Sequence, residues 1–362
     1  MEQQGRTPCM NAGTIWWSQI GTSLRFLTQI TNVLQDCQST VLQLPSVIPW
    51  RQDFYLSVDL RRTSFSSQRS LRRLSWKDGA IPGAFILKNL CSPEIHAEYY
   101  PGLSHAAYLA SRDDILLNDY YIWITGVHNK TDMEKWIDFI SEYIRCTQNP
   151  DQHAVFILEY DGVSVDWKNV KNISYSVEHY DCRVFSLEAA AALKNASLLN
   201  YQSEIALSIC ENNPELCFAL LCTGDSLLKD PLNTALKVLS SRHSDQGSHF
   251  SSISETQLSS SIWKAAVVLI FPILEGYRMD FIRKYSTVLS EFLPISNSND
   301  SKITDPEDLE IGNLYYIVKN SGKVFSSSEV ESIRLCRKVR NLLAHNEHID
   351  YDDARKIFDL TL

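Results

Sequence analysis

Near the end of the chain Arg337, Arg340, Asn341 and His345 fall in one short run, Arg337-Lys338-Val339-Arg340-Asn341-Leu342-Leu343-Ala344-His345. Its apolar members keep helical spacing, which predicts a helix with a core-facing side and a polar side. A guanidinium holds a phosphate and neutralises charge that develops on it. An imidazole titrates near neutral pH, so it takes a proton from a ribose 2′-hydroxyl or returns one to a leaving oxygen. A carboxamide orients either group or binds phosphate. These are tools for cutting RNA without a metal.

On an ideal helix Arg340 and His345, five residues apart, project about 140° from each other, so they need not share a face. Asn341 and His345 do share one, and Arg337 stands a turn earlier on it. One copy would make a sparse site, whereas two copies related by a two-fold axis bring both arginines and both histidines to one cleft. The competing reading is structural: Arg340 pairs with an acidic neighbour and His345 ends the helix.

Arg340, Asn341 and His345 resemble the R-N-x-x-x-H signature of the HEPN superfamily, small helical domains that are often ribonucleases in toxin and antiviral defence systems. The likeness extends loosely over residues 262–362. It implies a metal-independent, cofactor-free endoribonuclease in a prokaryotic defence or toxin system, acting as a homodimer through this domain. His345 would be general base or acid, Arg340 would stabilise the pentavalent phosphorane, and products would carry 2′,3′-cyclic phosphate and 5′-hydroxyl ends. RNA would be cut where it is single-stranded or looped, because in-line attack by the 2′-hydroxyl needs a backbone freed from the A-form helix. Glu275 and Arg278, three residues apart on a helical stretch, would border the cleft with Arg337 and touch substrate or orient Arg340; the alternative for that pair is a surface ion pair. The other reading of the whole domain is a noncatalytic RNA-binding or dimerisation component.

The elements that must position the motif read as a bundle. Trp263, Ala266, Val267, Ile270, Phe271 and Leu274 mark an amphipathic helix that Pro272 kinks or ends. Further helices are predicted over 279–292 and 309–318, with Gly322 in the turn after the second. The motif helix has Ser327 or Ser328 as cap and Val330, Ile333, Cys336, Val339 and Leu343 inward. Asp350 caps a last helix.

Residues 1–188 read as an α/β domain, so the fold class is α/β plus all-α. Strands are predicted at 40–44, 54–58, 84–87, 120–127, 154–160 and 183–187, among helices over 12–36 and after the Thr131-x-x-Glu134 capping box. Their alternation predicts a largely parallel sheet. Helices over 189–239 extend it, and a serine-crowded stretch, 240–261, forms the linker. This layout resembles ATPase domains of the AAA and STAND type. The phosphate loop is missing, because Gly13 and Gly21 lead to no Lys-Ser/Thr and the first lysine is Lys77. The resemblance implies an NTPase-like sheet without hydrolysis, serving as a sensor or docking a regulatory protein.

Glu159 ends an apolar strand and reads as a solvated strand end rather than a Mg²⁺ ligand. Arg61, Arg62, Arg69, Arg72 and Arg73 follow one another without an acid, as a solvated loop or a surface for nucleic acid or an acidic partner. Trp16, Trp17 and Trp50 are expected to be buried. His105, His128 and His179 are expected to be structural.

Bulk properties bound these readings. The 362 residues exceed one ordinary core and point to two or three domains. A net charge of -9 argues against nonspecific coating of nucleic acid, while leaving room for a small basic cleft. Nine cysteines without a C-x-x-C pair fit buried thiols in a reducing cytosol and give no zinc signature. Met1 to Asn11 hold no apolar run, and no stretch is expected to reach the roughly 18 apolar residues of a membrane span. The expectation is a cytoplasmic chain.

Overall fold

Five strands form one sheet: β1 (Thr40–Gln43), β2 (Ser70–Ser75), β3 (Tyr120–Val127), β4 (Val155–Tyr160) and β5 (Lys171–Ser174), in the order β2-β3-β4-β1-β5. Every neighbouring pair is parallel. Between them run α1 (Ala12–Gln19), α2 (Gly21–Gln35), α3 (Arg51–Arg62), α4 (Pro82–Leu90), α5 (Pro93–Ala97), α6 (His105–Ser111) and α7 (Lys130–Cys146). The computed structural model describes residues 11–65, 69–112, 117–147, 153–163, 167, 170–245, 253–296, 302–322 and 324–360, with backbone alone at 242–245. Readings made above for residues 1–10 and for 246–252 of the serine-rich stretch lie outside the described residues. The chain divides into two compact units, Met1–Asp181 and Cys182–Leu362.

In the first unit the parallel sheet is as expected, and its central strands are covered on both faces. All six residues of β4 are buried, as a parallel strand between two helical layers requires. On one face Ile122, Ile124, Phe156 and Leu158 pack with Trp136, Phe139, Ile140 and Tyr143 of α7. On the other, Trp17, Phe26, Phe54 and Trp123 form a chain of ring contacts, with Trp16 and Trp17 fully buried and Trp50 partly so. The cap of α7 is Asn129, whose side chain accepts from Asp132 N, not the Thr131 box.

Three predicted strands are helices. Residues 54–58 lie in α3, 84–87 in α4, and 183–187 in α8 (His179–Leu193). Each is an apolar run of five residues or fewer, too short to distinguish period 2 from period 3.6. Phe54 and Val58, four apart, are both buried, which is helical spacing. Conversely β2 and β5 were not foreseen as strands. They are the two edges of the sheet, where polar and basic residues are tolerated and guard against edge-to-edge pairing.

The second unit is nearly all helix. It holds most of α8, then α9 (Leu199–Cys210), α10 (Pro214–Leu221), α11 (Asp225–Lys229), α12 (Pro231–Asp245) and α13 (Glu255–Ser290). After a two-residue ribbon of β6 (Ile295–Ser296) and β7 (Lys302–Ile303) come α14 (Ile311–Asn320), α15 (Ser327–Ala344) and α16 (Tyr351–Phe358). The helices over 189–239 therefore share a unit with 262–362, and α9 and α12 pack on α13. Of the described cysteines, Cys182, Cys210, Cys217 and Cys336 are buried and Cys222 is exposed.

A Ser254–Gln257 capping box opens α13, which continues through Pro272. The missing amide orphans the Val268 carbonyl, and Val268 and Pro272 both face solvent, where water satisfies it. Helical dihedrals lapse later, at Tyr285. By length and composition alone α13 could cross a bilayer, against the expectation that no segment reaches that threshold. It packs on α9, α12, α15 and α16, burying Leu258, Ala265, Ile270, Leu274 and Phe281.

Candidate functional site

The motif lies on α15. Ser326, one residue before the predicted cap, and Glu329 close a capping box at its start. Ile333, Cys336, Val339 and Leu343 recur at three or four residues and are buried, so packing fixes the rotation of the helix. Arg337, Arg340, Asn341 and His345 are all exposed.

The far end of the helix is locked around His345, its C-cap. Asn346 N donates to Leu343 O at 3.3 Å and Glu347 N to Leu342 O at 2.9 Å, the paired bonds of a Schellman stop. Asn346 takes the left-handed conformation this needs, at φ 59°, as asparagine tolerates. Trp263 Nε1 on α13 also donates to Leu343 O, at 2.9 Å. The backbone of His345 is thus fixed, while its imidazole has no bonding partner among the described residues.

Arg340 projects differently. Its Nη2 lies 3.6 Å from Glu310 Oε2, the residue before α14. Glu310 is itself positioned from α13, because Arg278 Nη1 donates to the carbonyls of Glu307 and Leu309 at 3.2 and 3.1 Å. Arg278 Nε also donates to Glu275 Oε2, at 2.8 Å. Glu275 and Arg278 form the ion pair named as the alternative, with an added role for Arg278, which holds the segment whose next residue pairs with Arg340.

Arg337 and Asn341 line a groove of about 810 Å³ bounded by α14, α15 and α16. Arg340 and His345 do not line it. The Arg337 guanidinium lies over the Tyr315 ring, 4.6 Å from its centroid. Sequence reading had missed Tyr315 and Glu310. The buried Ile311, Leu314, Ile317 and Val318 are a signal that places Tyr315 on the flank of α14, but nothing in the sequence ties it to Arg337.

The first unit has its own polar centre, at the carboxyl ends of β1, β3 and β4. From the adjacent strands β1 and β4 the chain leaves for opposite edges of the sheet, and such a crossover point is where open α/β sheets hold ligands. Here it is filled. Glu159 is 4 % exposed and accepts from Trp123 Nε1 and Tyr55 OH, both at 2.8 Å, and from Arg51 Nη1 at 3.1 Å. This corrects the reading of Glu159 as a solvated strand end. Burial pushes its carboxyl up, against the pull of Arg51, Tyr55 and Trp123. Burial, with Glu159 alongside, pushes the Tyr55 hydroxyl up to about 12. The remaining cavity is about 40 Å³, far below the roughly 300–1,000 Å³ of ligand pockets. The turn into α3 places Trp50 in the left-handed region, φ 44° and ψ 59°, a strained conformation for a bulky residue.

The arginine run is not a solvated loop: Arg61 and Arg62 end α3, Arg69 precedes the edge strand β2, and Arg72 and Arg73 lie on it. Arg73 makes two 3.0 Å bonds to Asp59 and lies over the rings of Tyr55 and Trp123. Arg72 covers Tyr120, and Arg69 donates to His153 O. His128 pairs with Asp161 at 2.8 Å, and His105 stacks on Tyr99. Among the described residues no three His, Cys, Asp or Glu side chains form a metal-binding group. No protein-family model matches the chain, and no curated protein matches its sequence.

Proposed function

We propose that the chain is a metal-independent endoribonuclease of HEPN type, in which His345 moves protons and Arg340 stabilises charge on phosphorus. The observation that carries this reading is the exposure of Arg340, Asn341 and His345 at the end of a helix whose other side is firmly buried. In the reaction the ribose 2′-oxygen attacks phosphorus, and the bond to the 5′-oxygen breaks. One His345 takes the 2′-hydroxyl proton, and a proton returns to the departing 5′-oxygen. A 2′,3′-cyclic phosphate and a 5′-hydroxyl result.

Since Arg340 and His345 project apart on α15, a full constellation needs a second copy of the second unit facing the first. The parallel sheet, with its crevice closed by Arg51 and Glu159, fits a sensor or partner-docking unit that turns over no nucleotide. A cytoplasmic defence or toxin system in a prokaryote is the setting the HEPN resemblance implies. The Arg340–Glu310 pair favours a second reading, a noncatalytic RNA-binding or dimerisation component in which Arg340 is structural.

RNA cleavage in EDTA by the wild type, Arg340→Ala and His345→Ala separates the two. On the first reading each substitution lowers the cleavage rate by at least about 100-fold, with an unchanged melting temperature because both side chains are exposed. Equal cleavage by all three, or none by the wild type with any RNA or activating partner supplied, overturns it.

A further inference from the structure

Arg334, Arg337, Asn341 and His345 succeed one another at spacings of three, four and four residues. They make a polar stripe about 16 Å long on one side of α15, ending at the imidazole. The groove of about 810 Å³ is lined by the first three of them, Arg334, Arg337 and Asn341, and not by His345; its volume is near the upper end of the roughly 300–1,000 Å³ that ligand pockets occupy.

Four cations line the groove, and two of them are engaged. Lys338 Nζ lies 2.5 Å from Asp353, and Arg334 lies 3.6 Å from Glu331. Arg337 and Lys356 pair with no carboxylate among the described residues, and the Asn341 carboxamide has no bonding partner there. Arg337 Cζ instead sits over the Tyr315 ring, 4.6 Å from its centroid. A guanidinium held on a ring keeps a second planar face, on which a nucleobase can stack.

We infer that this groove seats single-stranded RNA next to the bond that is cut: an unpaired base stacks on the Arg337–Tyr315 pair and a neighbouring phosphate meets Lys356. This rests on the ribonuclease reading of His345. Three carboxylates, Glu331, Asp353 and Asp359, also line the groove. They oppose a dense polyanion such as an acidic peptide, and leave a ligand with one flat ring per phosphate as the better fit. Duplex RNA is excluded from the seat because its bases are already stacked on one another.

The test uses the full chain carrying His345→Ala, so that RNA is bound and not cut. Fluorescence anisotropy of a labelled single-stranded oligoribonucleotide is measured in EDTA, with polyglutamate and the duplex form as competitors. Tyr315→Ala and Arg337→Ala are each expected to weaken binding about tenfold, as loss of one stacked base does. Tyr315→Trp, which keeps a ring, should restore it. Arg337→Lys, which keeps the charge and loses the plane, should behave like Arg337→Ala. Unchanged binding by Tyr315→Ala and Arg337→Ala, full binding by Arg337→Lys, or equal competition by polyglutamate or duplex overturns the seat and leaves the nuclease reading untouched. Weakened binding by the stacking variants, with no RNA cleavage by the wild type, keeps the seat and removes the nuclease reading.

Discussion

Arg340 and His345 stand five residues apart on α15, and Arg340 is held by Glu310 at 3.6 Å while the His345 imidazole has no bonding partner among the described residues. The arginine is restrained from outside its own helix, by a carboxylate that Arg278 positions through the Leu309 carbonyl. The histidine is restrained only through its backbone.

On the proposed nuclease reading, this pairing makes Glu310 a brake on Arg340. Both partners are well exposed, 44 and 69 %, and such pairs contribute about 0–1 kcal/mol. Glu310→Gln is therefore expected to move the unfolding free energy by less than about 0.5 kcal/mol. It should raise the single-turnover rate of RNA cleavage several-fold, because Arg340 is released to phosphate. A fall in that rate would show that Glu310 holds Arg340 in its working pose.

The first unit offers a sharper stability test. Glu159 is the shared acceptor of Tyr55, Trp123 and Arg51, so Glu159→Ala leaves the buried Trp123 indole N–H without a partner and the half-buried Tyr55 hydroxyl with Arg51 alone, at 3.3 Å. Removing one member of a buried pair costs about 3–5 kcal/mol, and partial exposure of Arg51 places this one nearer the lower figure. Glu159→Gln keeps an acceptor for Tyr55 and Trp123, so its cost is about 1–2 kcal/mol. Urea unfolding followed by tryptophan fluorescence reads both. With about 40 Å³ free at the crevice, calorimetric titration of the wild type with ATP or GTP should show no binding; saturable heat would mean that the Arg51–Glu159 plug opens.

Legibility from sequence followed burial and chain distance. β3 and β4 could be read because central parallel strands are apolar throughout, whereas β2 and β5, as edges, carry the arginines and lysine that hid them. Residues 54–58 and 84–87 failed because a run of five or fewer apolar residues has no period. Pro272 marked no boundary because its orphaned carbonyl faces water. At the site, the exposed side of α15 was readable from the spacing of Ile333, Cys336, Val339 and Leu343. The partners Glu310 and Tyr315 were not, because contacts between α14 and α15 are set by packing. Glu159 shows the same limit: a strand-end acid looks identical in sequence whether water or an indole, a phenol and a guanidinium surround it.

The start of the motif helix carries a pH dependence of its own. Burial alone would raise the Glu329 carboxyl, but Tyr285, Ser326 and Lys284 donate to it and draw it down to about 2. An unfolded glutamate titrates near 4.3. A carboxyl lowered on folding contributes stability that is complete above the unfolded value and lost as pH falls toward the folded one, here between about pH 5 and pH 2. Glu329→Gln keeps an oxygen for the Ser326 capping box and removes only the charge. Its stability deficit against the wild type, from urea unfolding at pH 6, 4 and 3, should be largest at pH 6 and shrink stepwise below pH 5. A deficit that does not change with pH would mean that the network needs an acceptor at residue 329 and not a charge, and that α15 is anchored by hydrogen bonds alone.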